Sequence, residues 1–177
     1  MEPLQTALVA LLEQDNPVAA FMRTAWGWPM MESLHFISLS LLVGAIAVFD
    51  LRLLGVGRRI PVGAAQALVP CALVGFAVSA LTGMTFLLTE PNQYIYNPAF
   101  LLKLVFLGIA GVNAAAFSLS SFGRRVVQTG DAPPAARLIA VVSLSLWIAI
   151  IIAGRMITFY RPGSCPEGER FIALCVP

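Results

Sequence analysis

The chain has 177 residues, of which 59% are hydrophobic and 11% charged, with a mean hydropathy of +0.86. Soluble domains carry about 25% charged residues, so a soluble enzyme is excluded and one membrane domain is the natural count for this length. A formal net charge of +2 is too small to point to nucleic acid, and the partner that the composition implies is membrane lipid.

Residues 1–29 precede the first long apolar run. Leu4, Ala7, Leu8, Leu11 and Leu12 recur at helical spacing, and Glu13, Gln14 and Asp15 follow them. Asn16-Pro17 has the signature of an N-cap with proline at the first helical position, which predicts a second short helix through Phe21, Met22 and Arg23. Neither the basic start nor the small-residue cleavage site of a secretory signal is visible. The segment is therefore expected to form interfacial helices, with Trp26 and Trp28 in an aromatic belt.

Met30 to Gly55 is the run around which the rest is organised. Phe36 to Phe49 contains no charge, and it is bounded by Glu32 and His35 at one end and by Asp50 and Arg52 at the other. A run close to the roughly 20 residues that a bilayer requires predicts a transmembrane helix. Asp50 and Arg52 are expected to form a structural clasp at its far end. A tight basic loop, GVGRRIPVG, leads to a second run over about residues 63–88, where Pro70 is expected to introduce a kink. Gly75, Ser79 and Gly83 lie four apart in it, a small-residue stripe suited to close helix packing within the chain or in a homodimer. The loop TEPNQYIYNP has no basic residue. A third run covers about residues 98–121 and carries Lys103, the Gly108 and Gly111 pair, and Asn113, an expected interhelical hydrogen-bonding residue. A second basic loop, SFGRRVVQTGDAPPAAR, precedes a fourth run over about residues 137–160.

The arginines set the expected orientation. Arg52, Arg58 and Arg59 mark the first loop and Arg124, Arg125 and Arg137 flank the third, whereas the second has none. Basic loops stay cytoplasmic, so both termini are expected outside a bacterial inner membrane. Cys71 lies in an apolar run and reads as a packing residue. Cys165 and Cys175 lie in a polar tail that this orientation places in an oxidising compartment, where a disulfide between them is expected. The fold class expected is all-α. It consists of interfacial helices over residues 1–29, a four-helix transmembrane bundle over 30–161 and an outer tail over 162–177.

This orientation gathers polar residues into one layer. His35, Lys103 and Arg155 each lie about five residues from the outer end of a span, roughly 8 Å deep at about 1.5 Å per residue. Glu32 is one turn above His35 on the same face, and Met84 reaches a similar depth. His35 is the only histidine and Lys103 the only lysine. Each has a plainer role open to it: the charged members as snorkelling residues or an internal ion pair, Met84 as packing. His35 resists that reading best, because an imidazole in lipid is costly and is expected to face protein or a cavity.

Three chemistries suit the layer. Haem b would take His35 as axial ligand, Arg155 and Lys103 for its propionates, and Met84 or a second protomer's histidine as the other ligand. Copper would take His35 with Met30, Met31, Met84 or Met156. A proton or ion relay would run through Glu32, His35 and Lys103, although the far half of the first span offers only Ser38 and Ser40 and the third only Asn113. The expected function is electron transfer at an outward-opening site, with Glu32 fixing the His35 tautomer. A homo-oligomer and a periplasmic redox partner would accompany it. The alternatives are an ion-coupled transporter and a non-catalytic subunit of an envelope complex. Phosphate loops, nucleophile elbows and CxxC pairs are absent from the sequence.

The strings MESLHFISLSLLVGAIAVFDLRLLG, NPAFLLKLVFLGIAGVNA and AGRMITFY resemble an uncharacterised bacterial family of four-helix membrane proteins. That family is similar in layout to the copper-resistance CopD-like and cytochrome b561-like bundles. The resemblance spans Pro29 to Tyr160. It implies the same fold and marks Glu32, His35, Asp50, Leu51, Arg52, Lys103, Asn113, Gly154 and Arg155. It carries no established activity.

Overall fold

The computed structural model describes residues 2–12, 16–162 and 165. These residues form nine helices and, among the described residues, no strand. The expected all-α class is what the chain adopts. Four helical segments are long and apolar enough to cross a membrane: Gly27–Leu53, Val62–Thr89, Pro98–Leu119 and Pro134–Met156. The protein is therefore an integral, multi-pass membrane protein. Large apolar side chains such as Leu81, Val112 and Ile148 are exposed along these segments, as a lipid-facing surface requires.

The two short helices precede them as expected. α1 covers Glu2–Leu12 and α2 covers Pro17–Met22. The Asn16 side chain accepts from the Ala19 amide at 2.7 Å, so Asn16-Pro17 does form the cap and first position of α2. The first span is α3, Gly27–Leu53. The second is two helices, α4 over Val62–Gln66 and α5 over Val69–Thr89. Pro70 lies in the first turn of α5, where its missing N–H leaves no helical bond unmade. The kink expected at Pro70 is thus a helix boundary. The loop without basic residues contains α6, Pro91–Ile95. The third span is α7, Pro98–Leu119, and the fourth is α9, Pro134–Met156.

The second basic loop is also more ordered than its composition suggests. It contains α8, Ser121–Thr129. Ser120 caps α8 by accepting from the Gly123 amide at 2.9 Å, and Gly130 ends it at a φ of 73°, a left-handed conformation that glycine adopts without strain. α8 buries Gly123 and Val126, turns Arg124 and Arg125 outward and packs against α4.

The chain divides into two compact units. One comprises Met1–Phe36, Val78–Leu104 and Ile151–Pro177, and the other Ile37–Ala77 and Val105–Ile150. In the first, α1 is tied to the α6 segment: Gln5 Nε2 donates to the Ile95 carbonyl at 3.3 Å, and the Thr6 and Tyr96 hydroxyls lie 3.1 Å apart. In the second, one apolar cluster is built from Leu53, Val62, Phe117, Val126, Ala136 and Ala140, and another from Leu42, Ala72, Ala110, Trp147 and Ile150. Gly75 brings α5 against α3 here. A Cβ at Gly75 would lie 2.7 Å from the Ser38 carbonyl oxygen and 2.8 Å from the Leu42 amide nitrogen. Without a hydrophobic drive between helices in lipid, such close backbone approach supplies the packing contact. Gly75 thus serves packing within the chain, whereas a Cβ at Gly108 or Gly111 would meet nothing within 4 Å.

Candidate functional site

His35 lies in the first third of α3 and meets α5 within the first unit. Its neighbours on α5 are Ser79, Thr82, Gly83 and Phe86, spaced three, one and three apart and therefore on one helical face. His35 Nδ1 is 2.8 Å from Thr82 Oγ1 and 3.5 Å from Ser79 Oγ. Gly83 leaves room for the ring, since a Cβ there would lie 3.7 Å from His35 Cε1. The Phe86 ring meets the imidazole edge-on at 5.7 Å, and Trp28 lies 5.1 Å from Phe86 in turn.

The hydrogen-bond network assigns the tautomer. The Thr82 hydroxyl donates to its own helix, with Val78 O at 2.8 Å and Ser79 O at 3.1 Å. A hydroxyl has one proton, so towards His35 it accepts, and the imidazole carries its proton on Nδ1. The lone pair of the neutral ring is then on Nε2. Glu32 was the residue expected to fix this tautomer; the contact to Nδ1 comes from the Thr82 hydroxyl instead. Glu32 is exposed and acts electrostatically on Tyr94 of α6.

The other members of the expected layer are distributed as follows. Lys103 is half-buried, its stem lies across Gly154 of α9 with Nζ 3.6 Å from where a Cβ would stand, and its ammonium acts electrostatically on His35. Arg155 is exposed and turned onto the end of its own helix. It donates to Thr158 Oγ1 at 3.3 Å, and its guanidinium lies 5.7 Å from the Phe159 ring centre. Met84 is 53% exposed and lies off the face that meets His35. Of these residues, Lys103 is the one whose charge reaches His35. Cys165 is buried, while Cys175 lies outside the described residues, so the expected tail bridge falls outside them too. Among the described residues no group of three or more His, Cys, Asp and Glu side chains comes together.

Asn113 behaves as expected, donating from Nδ2 to the Ile139 carbonyl of α9 at 3.4 Å. The Asp50–Arg52 clasp does not form. Residues two apart on a helix do not face each other. Arg52 Nε donates to the Ile60 carbonyl, and Asp50 is buried with Ser143 hydrogen-bonded to its carboxylate.

Two groups of residues escaped the sequence reading. The hydroxyls of Thr82, Thr85 and Thr89 recur at spacings of three and four on α5 and each donates to a carbonyl one turn back, with Thr85 to Thr82 O and Thr89 to Thr85 O both at 2.7 Å. The signal was present as a threonine stripe flanking Gly83. Asn97, fully buried, was read only as loop. Its Oδ1 accepts from the Ala99 and Phe100 amides, and its Nδ2 donates to Ile157 O and Tyr160 O, both at 3.0 Å. Gln93, one turn earlier, donates to the same two carbonyls. Asn97 thus caps α7 and clamps the end of α9, which sets Lys103 over Gly154. The dipeptide Asn97-Pro98 repeats Asn16-Pro17, which had already been read as a cap.

Comparison with family models, with curated proteins and with solved structures returns no match. The functional reading therefore rests on this geometry.

Proposed function

We propose that this integral membrane protein works at His35, and that the imidazole would hold haem b for electron transfer. The observation that supports this is the Thr82 hydroxyl on Nδ1, because ligating histidines hold their second ring nitrogen as a donor to a fixed acceptor, which aims Nε2. Haem fits the side chains better than copper. A single histidine suffices to hold haem iron, whereas copper needs further donors and the candidate Met84 is exposed on another face. When bound, haem would supply one-electron chemistry. Lys103 would meet an anionic edge of the group, and Thr82 and Phe86 would hold the ring. A histidine from a partner protomer in a homo-oligomer would also help to hold the group.

This reading includes a site that opens outward in a bacterial inner membrane, with both termini outside, a periplasmic redox partner and a Cys165–Cys175 bridge holding the tail. Such a bridge would stabilise the folded tail by roughly 2–3 kcal/mol. Reporter fusions at Arg58 and Arg124 check the orientation, and intact mass with and without reductant checks the bridge.

The threonine stripe favours one second reading, proton transfer through His35. Intramembrane histidines are recurring members of proton relays, and these hydroxyls add polar groups beside His35. One set of measurements separates the two. The purified protein, expressed with haem precursor supplied, is expected to show a Soret band that His35→Ala removes and Thr82→Val shifts. Absence of the band rejects the haem reading. Proton flux in liposomes that His35→Ala abolishes would then support the relay. A His35→Ala protein that retains its physiological function would leave the non-catalytic envelope subunit.

A further inference from the structure

The second unit contains a site that the His35 reading does not use. A cavity of about 470 Å³ lies among residues of α3, α5, α7 and α9. Its walls are mainly apolar, with Leu42, Ile46, Phe49, Phe76 and Trp147 prominent. Asp50 is in the wall and only 4% exposed. One side of its carboxylate is occupied by the Ser143 hydroxyl. The other oxygen, Oδ2, is buried with no hydrogen-bond partner. Arg52, the obvious cation, is committed to the Ile60 carbonyl.

A buried carboxylate oxygen without a donor is costly, and such a group calls for completion by a ligand, a water or a proton. The remaining polar groups say what that is. Asn113, also in the wall, commits its Nδ2 to Ile139 O and presents its Oδ1 as an acceptor. The Ser143 proton goes to Asp50. Asp50 and Asn113 therefore offer acceptors to the cavity, and its lining also holds the Ser118 hydroxyl and the Trp147 indole N–H. Asp50 Oδ2 has taken up neither donor, and its complement is a head group that donates, attached to an apolar body. A primary ammonium has three donors and no acceptor, and Phe49 and Trp147 in the same lining are ring types that attract a cation. We propose that this cavity binds a lipophilic primary amine, with the ammonium on Asp50 Oδ2 and the apolar chain along the wall of Leu42, Ile46 and Phe76. Ligands whose heads only accept, such as esters and quinones, would leave Oδ2 as it is.

Trp147 gives the site its own reporter. In the full-length Trp26→Phe, Trp28→Phe protein in detergent it is the sole tryptophan. The probes are bromooctylamine and bromooctanol, which share a quenching bromine and differ in the head group. The amine is expected to quench Trp147 saturably, and the alcohol to quench weakly and without saturation. Asp50→Asn keeps the volume and is expected to weaken the amine by roughly tenfold or more. Ala114→Phe, which fills the lining beside Asn113, is expected to remove saturable quenching altogether. Equal quenching by amine and alcohol, or an Asp50→Asn protein that binds the amine unchanged, would overturn the proposal. Should the double tryptophan substitution fail to fold, melting of the wild-type chain decides. Octylamine should raise the midpoint and octanol should not, and the rise should vanish in Asp50→Asn. An equal rise with both, or none with octylamine, refutes amine binding.

Discussion

The two units treat buried polar groups in opposite ways. In the first, Asn97 uses both ends of its amide, Thr82 sits between its own helix and His35, and the orphan noted by the geometry is a neutral amide oxygen, Gln5 Oε1. In the second, the orphan is a carboxylate oxygen on Asp50, set in an apolar wall. In apolar surroundings a polar group whose partners are complete specifies packing, because no rival arrangement completes it so well. One whose partners are incomplete is retained against its cost, and so indicates a ligand or a proton. The contrast assigns Asn97 to architecture and Asp50 to binding, although both are buried polar residues in or beside long apolar helices.

Substitutions test that assignment, beginning with the largest effect. Asn97→Ala should be the most damaging. It removes the cap of α7, worth about 1 kcal/mol, and two bonds to the carbonyls of Ile157 and Tyr160 just after α9 that Gln93 alone cannot fully replace. A loss of about 3 kcal/mol is expected from melting in detergent, and a loss below about 1 kcal/mol would show that the clamp is not structural. Gly75→Ala should follow. Its Cβ would stand 2.7 Å from the Ser38 carbonyl oxygen, so α3 and α5 must separate, at about 1–3 kcal/mol. Asp50→Asn should have the opposite sign, because it replaces an uncompensated carboxylate by a neutral amide that still accepts from Ser143. A gain of up to about 1 kcal/mol is expected. A clear loss of stability would make Asp50 a structural residue like Asn97 and erase the contrast.

What could be read directly from the residues follows the same division. The four spans were legible because apolar length is a one-dimensional property, and so was the cap at Asn16, because its partner lies three residues away. Two boundaries were not. Pro70 and the Ser120 cap act by starting helices inside stretches whose composition reads as span and as loop. At the site, depth placed His35 and Lys103 at one level, and the Lys103 charge does act on His35. Depth does not give the direction of a side chain, however. Met84 and Arg155 share that level and point elsewhere. Thr82 was overlooked because a hydroxyl in an apolar run normally bonds to its own helix, as Thr82 also does, and only the packing of α5 on α3 shows its second partner. Asp50 and Arg52 misled for a related reason: opposite charges near each other in sequence suggest a pair, but a spacing of two places them on different faces.

The smallest expected effect concerns Glu32, a member of the expected layer that acts on Tyr94 rather than on His35. Tyr94 lies in α6, outside the spans, with its ring 5.3 Å from that of Phe100. Burial, and then the Glu32 and Glu90 carboxylates, push its hydroxyl from 10.0 up to about 12. The folded state thus prefers the neutral phenol more than the unfolded state does. The stability that this contributes is complete below about pH 10 and is lost as pH rises from there through about 12. Ultraviolet titration of tyrosinate, with Tyr94→Phe subtracted to isolate Tyr94, should place the wild-type midpoint near the upper end of that window. Glu32→Gln removes one of the two carboxylates and should move the midpoint down towards 10 by a fraction of the total, since burial is the largest cause. His35 absorption or flux signals should be unaffected by this substitution, because Thr82 holds the imidazole proton. A Tyr94 midpoint that ignores Glu32→Gln, combined with a His35 signal that follows it, would return Glu32 to the imidazole and reverse the assignment made from Thr82.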